Sequence, residues 1–250
     1  MNLSNSPFWT VEDMRLITAQ EHQRIENRIT QLYESILKPG DAFLDIGANI
    51  GHHTWRMGSC VGPSGSGHAI EPGPQFHEKL SRVLQIKKID WVNIYKVAVS
   101  DKVGEAVFYY RPNHPGWSSL YEGFRHPNDR DDVPEKNTTP VTTIDNLLLD
   151  NLTQLKFIKL DTENSEFPIL KGSVGVLKKH KPVIVFESMF EAAMTLNNYT
   201  LEEFYDFFET VDYTLFDLDG QKIKRQNFVP SKIDSLTFHM IAAHKDTTIF

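Results

Sequence analysis

Asp45-Ile46-Gly47-Ala48-Asn49-Ile50-Gly51 follows a short apolar run, Ala42 to Ile46, and precedes a helix-compatible stretch, His52 to Cys60. A strand that feeds a helix through a glycine-bearing turn gathers backbone amides and the positive end of a helix dipole beyond the strand's carboxyl end, where open α/β sheets bind ligands. Gly47 suits a strained turn, Gly51 suits close approach of backbone to a ligand, and Asp45 is placed to accept a hydrogen bond from an ammonium group. The spacing is not the G-x-G-x-x-G of dinucleotide sites, and a carboxylate in the loop is a poor neighbour for pyrophosphate. A second strand, Gly67 to Ile70, leads into Glu71, twenty residues past Gly51, where a carboxylate can take both hydroxyls of a ribose. Two acids so spaced fit a nucleoside that carries a positive charge and an ammonium, which describes S-adenosylmethionine. Taken singly, Asp45 also reads as a helix cap, the glycines as turn residues and Glu71 as a solvated strand end. The ordered set favours the cofactor.

Outward from this turn the chain keeps a βα rhythm. Upstream, Thr10 and Asp13 resemble a helix start, and Ile17, Ile25, Ile29, Leu32, Ile36 and Leu37 recur mostly at helical spacing until Lys38-Pro39-Gly40 stops the pattern. Residues 1–40 therefore form an N-terminal helical extension to a domain over 41–250. Downstream, a helix over Gln75 to Ile86 and a strand over Val92 to Val99 continue a parallel sheet with helices on its faces. A turn at Asp101 to Gly104 and a β-prone stretch, Glu105 to Tyr110, make a small hairpin. From 111 to 137 the pattern dissolves into Pro, Gly, Asn, His and Asp with Trp117, Tyr121 and Phe124, an insertion of the length that usually serves function. Periodicity returns with a short helix Thr143 to Leu149, a strand Lys156 to Leu160, a helix Ser165 to Lys179 and a strand Pro182 to Phe186. A helix Thr200 to Thr210 and strands Tyr213 to Asp217 and Leu236 to Ala243 close the chain, with Asp219-Gly220 as a turn. Two strands without a helix between them give the sheet an antiparallel end.

The composition excludes several classes. In 250 residues the 33 acidic side chains exceed the 26 basic ones, for a net charge of −7, which disfavours nucleic acid and anionic membranes as partners. Cys60 is the only cysteine, so no intrachain disulfide or thiolate metal cluster can form. The start of the chain lacks the pattern of a secretory signal, and Val183 to Phe186 is about the longest purely apolar stretch, far short of a membrane span. A cytoplasmic, reducing location with no membrane span is the expectation.

Seven motifs carry a resemblance: Asp45 to Gly51; Ala69-Ile70-Glu71-Pro72; Ala98-Val99-Ser100-Asp101; Trp117-Ser118-Ser119-Leu120; Lys159-Leu160-Asp161-Thr162-Glu163-Asn164-Ser165-Glu166; Leu170-Lys171-Gly172; and Val185-Phe186-Glu187. From Asp41 to Glu187 the sequence resembles the FkbM-type methyltransferases, a branch of the class I S-adenosylmethionine-dependent enzymes. The resemblance implies a doubly wound α/β fold, Rossmann-like, whose mostly parallel sheet has seven strands with an antiparallel last strand. It implies that Asp45, Gly47 and Gly51 hold the methionine portion and Glu71 the ribose, with Ala98 to Asp101 beside the adenine. The cofactor-binding set is thus Asp45, Gly47, Ala48, Asn49, Gly51, Glu71, Pro72, Ala98, Ser100 and Asp101. The family's usual Glu-Gly-Ala-Glu reads here Glu163-Asn164-Ser165-Glu166, and Asn tolerates the left-handed backbone that a glycine would supply.

Methyl transfer to a hydroxyl is an in-line displacement on a sulfonium, so the acceptor must be aligned and helped to lose its proton. Asp161 and Glu187 end neighbouring strands and Glu163 shares the loop of Asp161, so these three form the catalytic set. The structural alternative is that Asp161 and Glu166 cap a helix and Glu187 is an edge carboxylate. No metal is assigned: His52 and His53 point about 100° apart on a helix, and a divalent ion held by Asp161, Glu163 and Glu187 is the weaker alternative. His114 and His126 are further candidates for a base or for substrate contact. The aromatics of the insertion read as a cover for substrate or as loop anchors. The function expected is O-methyl transfer from S-adenosylmethionine to a sugar, glycolipid or natural-product hydroxyl on a small-molecule or glycan acceptor. The rival is a non-catalytic protein that retains the nucleoside pocket as a scaffold.

Overall fold

The computed structural model describes residues 19–124, 132–187, 190–225 and 239–249, without the side chains of Phe190 and Glu191. The expected helix start at Thr10 to Asp13, His126 and the first residues of the expected last strand, Leu236 to Phe238, lie outside the described residues. In chain order the strands are β1 (Ala42–Ile46), β2 (Ser66–Ile70), β3 (Val92–Tyr95), β4 (Ala98–Val99), β5 (Gly104–Tyr110), β6 (Glu135–Thr142), β7 (Phe157–Leu160), β8 (Val183–Glu187), β9 (Tyr213–Asp217) and β10 (His239–His244). The helices are α1 (Ala19–Ile36), α2 (His52–Val61), α3 (Pro74–Lys87), α4 (Ile144–Leu148), α5 (Glu166–Lys171), α6 (Val174–His180), α7 (Phe190–Asn197) and α8 (Leu201–Thr210).

Seven strands form one sheet in the order β3-β2-β1-β7-β8-β10-β9. Its pairs are parallel except those of β10, which runs antiparallel to both β8 and β9. Strand alternation sorts the two faces. On one face Phe43, Phe157, Val183, Val185 and Ile241 pack against Ile25, Ile29, Leu32 and Tyr33 of α1 and Met57 and Val61 of α2. On the other, Leu44, Ile46, Ile158, Leu160, Ile184 and Phe186 pack against α4, α5, α6 and α8, including the stacked pair Phe186 and Phe208. α1 is held on the sheet by buried residues at helical spacing. α8 starts in a capping box, with Thr200 Oγ1 accepting from Glu203 N at 3.1 Å and Glu203 Oε2 accepting from Thr200 N at 2.7 Å. No helix among the described residues is long and apolar enough to cross a membrane.

Five local expectations differ, the first being the hairpin across Asp101 to Gly104: β4 and β5 do not pair with each other but lie on either side of β6. The strand expected over Val92 to Val99 is two strands, because the chain leaves the main sheet after Tyr95 and β4 pairs with β6 in a separate three-stranded sheet, order β4-β6-β5. The loop expected to end at 137 ends earlier, since β6 begins at Glu135 and pairs antiparallel with β5 from Tyr110↔Glu135 to Gly104↔Val141. Its polar sequence with Pro140 hides it from a pattern search. The single helix expected over Ser165 to Lys179 breaks into α5 and α6 around Gly172, where a Cβ would lie 2.1 Å from the carbonyl oxygen of Ser100. α7 follows β8 where no helix was expected.

The segment between β5 and β6 is organised by Arg111, whose side chain is 1% exposed. Its Nε donates to the carbonyl of Phe124 at 2.7 Å, Nη2 to that of Glu122 at 2.5 Å and Nη1 to that of Asp132 at 3.2 Å. The carboxylate of Asp132 lies 3.7 Å from Nη1. A buried guanidinium thus joins the two described ends of the segment. Removing it strands three carbonyls and a carboxylate, each costing about 1–3 kcal/mol if left unsatisfied. Arg111→Met is expected to raise hydrogen exchange sharply across 111–124 while the core strands keep their protection. Arg111→Lys should not rescue it, because one ammonium cannot span three divergent carbonyls.

Candidate active site

A cavity of about 480 Å³ opens at the carboxyl ends of β1, β2 and β7. At one point of its wall sits Asp45, 1% exposed, whose Oδ2 accepts from Thr54 Oγ1 at 2.5 Å while Oδ1 is buried without a hydrogen-bond partner. A buried carboxylate oxygen with no donor is costly unless a ligand supplies one. The loop after it is dictated by crowding: Gly47 stands at φ +77, and a Cβ there would lie 1.7 Å from the carbonyl oxygen of Asp161. Across the cavity is Glu71, 4% exposed and therefore no solvated strand end. Its Oε2 accepts from Asn49 N and its Oε1 from Gly73 N, each at 2.8 Å. One lone pair on each oxygen remains for a ligand. Burial pushes the Glu71 carboxyl up to about 7 against the pull of these two amides.

At the other end, Asp161 follows β7, Glu187 ends β8, and Glu163 lies in the loop between β7 and α5. Carboxylate oxygens of the three lie within 4.8 Å of one another. Glu163 and Asn164 both adopt left-handed backbone, φ 56 and φ 83, so the turn expected of Asn in place of glycine is formed. Burial would raise Asp161, but the Lys159 ammonium, 2.9 Å from Oδ2, holds it well below the ordinary carboxylate range. Burial and the charge of Asp161 push Glu163 and Glu187 well above theirs, and Glu187 gives its proton to a hydrogen bond with Asp161. The cluster thus pairs one carboxylate with a lysine and sets beside it two carboxyls that are harder to ionise than ordinary ones. Glu166, likewise buried, is raised to about 7, with Oε1 accepting from the amide and hydroxyl of Thr162.

The structure brings most of the expected residues together and sets four apart. Asp45, Gly47, Ala48, Asn49, Glu71, Pro72, Ala98, Asp161 and Glu163 line the cavity. Gly51, Ser100, Asp101 and Glu187 are not among its lining. Gly51 caps α2 at φ +86, a left-handed position where a Cβ would also strike Leu80. Ser100 donates its N–H to Thr142, and Asp101 pairs with Lys171 at 3.0 Å. Glu187 meets the site through Asp161 and Glu163. In the insertion, Trp117 stacks on Phe124 with centroids 5.0 Å apart and Tyr121 donates to Asn197, so the aromatics act as anchors while Pro115, Gly116 and Ser118 to Leu120 face the cavity. His114 is not in the lining.

Sequence reasoning missed two contributors. Lys159, 5% exposed, is the register partner of Asp45 on the adjacent strand and lies between that acid and Asp161. Opposed by burial but favoured by both negative charges, its ammonium is held above the ordinary lysine range. The alternation Phe157, Lys159 beside Phe43, Asp45 was the available signal. The other contributor is α1, which lends His22, Gln23 and Glu26 to the wall. Glu26 Oε2 meets His53 Nε2 at 2.8 Å, and although burial would raise it, that contact brings its carboxyl down to about 2.

Comparison with known proteins agrees with this architecture. The fold is similar to a crystal structure of the methyltransferase FkbM from Methylobacillus flagellatus, with TM-score 0.51 and 16% identity over 86% of this chain. The alignment takes in 50% of that protein, so the present chain spans about half its length. Weaker likenesses include a precorrin-6y C5,15-methyltransferase from Geobacter metallireducens, with TM-score 0.47, 17% identity and 97% and 98% of the two chains covered. Another is an S-adenosylmethionine-dependent O-methyltransferase from Thermotoga maritima, with TM-score 0.46, 11% identity and 95% and 72% covered. No curated protein sequence matches significantly. The sequence matches the methyltransferase FkbM domain over residues 45–217, from Asp45 at the end of β1 to the end of β9. The chain therefore belongs to the FkbM methyltransferase family.

Proposed function

We propose that the protein transfers a methyl group from S-adenosylmethionine to a hydroxyl oxygen of a sugar, glycolipid or natural-product acceptor. The observation that carries the cofactor assignment is the buried, unpartnered Asp45 Oδ1 on the wall of a cavity that also holds Glu71. The donor-poor oxygen fits an ammonium, and the two remaining lone pairs of Glu71 fit a pair of ribose hydroxyls. Between them, Ala98, Val99, Phe76 and Phe108 supply an apolar wall suited to an adenine face. When bound, S-adenosylmethionine supplies an electrophilic methyl on a sulfonium.

The chain's own residues would do the rest. Asp161 and Glu163 share the cavity with Asp45, so an acceptor beside them lies within reach of the transferable group. Alignment of that acceptor is the first contribution to rate. A hydroxyl is a poor nucleophile until its proton is drawn off, and Asp161, Glu163 and Glu187 are assigned to promote that loss. Among the described lining residues Lys159 is the only lysine or arginine, and it is committed to Asp45 and Asp161. A cavity so short of free cations suits a neutral acceptor better than a phosphorylated one, and the net charge speaks against nucleic acid.

The test of the whole reading is to incubate the protein with methyl-labelled cofactor and cell extract and to follow the label by mass spectrometry. Label on an oxygen of a small molecule or glycan is expected. Label on nitrogen, carbon or nucleic acid overturns the acceptor class, and cofactor binding with no product in any extract favours the scaffold role.

For the cofactor, calorimetry on Glu71→Ala should show affinity weaker by about 1–3 kcal/mol, the cost of lost charge-assisted hydrogen bonds. The ionised form accepts from the ribose, and its carboxyl titrates at about 7. Wild-type affinity should therefore fall as pH drops through that value, whereas Glu71→Gln should stay flat. For the acceptor end, Asp161→Asn or Glu187→Gln should keep cofactor affinity within a few-fold and slow turnover by about a hundredfold. Full activity in both variants would remove these acids from the mechanism.

A further inference from the structure

We propose that Thr54 is a positioning residue for the cofactor's amino group, its hydroxyl setting the Asp45 carboxylate so that Oδ1 faces the cavity. The inference deepens the methyl-transfer reading and rests on its assignment of Asp45 to the ammonium of S-adenosylmethionine. It begins with a hydroxyl where packing asks for none. Thr54, Met57 and Val61 recur at helical spacing on the buried side of α2, and Met57 and Val61 pack on the sheet. Thr54 itself is 0% exposed and is not among the residues that line the cavity. An apolar side chain would fill that position equally well, so the hydroxyl needs another cause.

A serine or threonine in a helix often gives its proton to the carbonyl one turn back, as Ser59 of α2 does with the carbonyl of Trp55 at 2.9 Å. Thr54 does not. Its Oγ1 donates to Asp45 Oδ2 at 2.5 Å, from α2 to the end of β1. The N-cap of α2 is Gly51 and no side chain caps it, so capping claims neither group. Among the described residues no other group donates to this carboxylate, and Oδ1 stays buried without a partner. The torsion that orients a carboxylate is soft, so the oxygen that meets the cavity depends on what holds the other. Two groups compete for it. Thr54 stands on the α2 side, and Lys159 stands in register with Asp45 on the neighbouring strand, its ammonium bonded to Asp161 and attracted by Asp45 as well. The hydroxyl holds Oδ2 and leaves both lone pairs of Oδ1 for the N–H groups of a ligand. Without it the carboxylate turns toward Lys159 and Oδ1 leaves the cavity. An oxygen fixed before binding also removes the entropy cost of ordering it when the ligand arrives.

The test measures, by calorimetry on the purified full chain, the affinities of S-adenosylhomocysteine and of desamino-S-adenosylhomocysteine, the same molecule without its amino group. Wild-type protein should prefer the first by about tenfold or more. Thr54→Val, which keeps the shape and drops the hydroxyl, should weaken S-adenosylhomocysteine by about tenfold while the desamino analogue stays within about twofold. Thr54→Ser should restore the wild-type preference. Should Thr54→Val fail to fold, the same comparison in Thr54→Ala decides the matter. Equal weakening of both ligands, an unchanged preference in the variant without the hydroxyl, or no wild-type preference for the amino group overturns the role of Thr54 and leaves the methyltransferase reading intact. Failure of wild-type protein to bind either ligand overturns that reading instead.

Discussion

The site is built around one buried ammonium. Lys159 stands beside Asp45 in the register of two parallel strands and reaches Asp161 at 2.9 Å, so a single lysine compensates the acid at each end of the cavity. Burying an uncompensated charge, or breaking such a pair, costs roughly 3–5 kcal/mol. Against the cost of its burial, Asp161 in particular owes its lowered pKa to this lysine. The same contact sets the electrostatic order of the acceptor end. With Asp161 fixed as the anion, Glu163 and Glu187 are driven toward their protonated forms by its charge and by burial.

The lysine in turn depends on how closely β1 and β7 run. The turn after β1 passes so near the end of β7 that any side chain at Gly47 would collide with the backbone of Asp161. Glycine there is required twice, by φ +77 and by the space, and the pairing Asp161 N to Ile46 O at 3.0 Å records the same proximity. The two loops that would hold cofactor and acceptor are thus in direct contact. Their relative position is set by backbone rather than by flexible side chains, as alignment of a displacement reaction demands.

This arrangement explains which parts were legible in the sequence. Asp45, Gly47 and Glu71 announce themselves because strand, turn and helix follow in a fixed order and a strand end has only one place to project. The strands Ala42–Ile46 and Phe157–Leu160 are apolar enough to stand out as well. Lys159 did not stand out because a lone lysine in a strand ordinarily lies on a solvated face, and only the α1 and α2 layer over that face makes it internal. β6 was invisible because its stability comes from pairing with β5 and not from its own apolar residues, and the broken helix after Ser165 follows from a backbone contact between Gly172 and Ser100 that no local pattern encodes. Gly51 was legible as a glycine but its contact with Leu80 was not, since that residue is 29 positions away.

The walls of the cavity divide along the same line. The groups at the carboxyl edge of the sheet are fixed by strand register and suit chemistry that tolerates little displacement. The remaining wall comes from two elements outside the βα framework. α1 packs its Ile25, Ile29, Leu32 and Tyr33 on the sheet, which turns His22, Gln23 and Glu26 toward the cavity, and the segment braced by Arg111 presents Pro115 to Leu120 opposite. The two elements differ in their tie to the buried ammonium: Glu26 of α1 adds a negative charge that favours charged Lys159, whereas Pro115 to Leu120 carry no charged side chain. The β1, β2 and β7 ends are constrained by one another through register and backbone contact, whereas the wall from Pro115 to Leu120 is bound by neither.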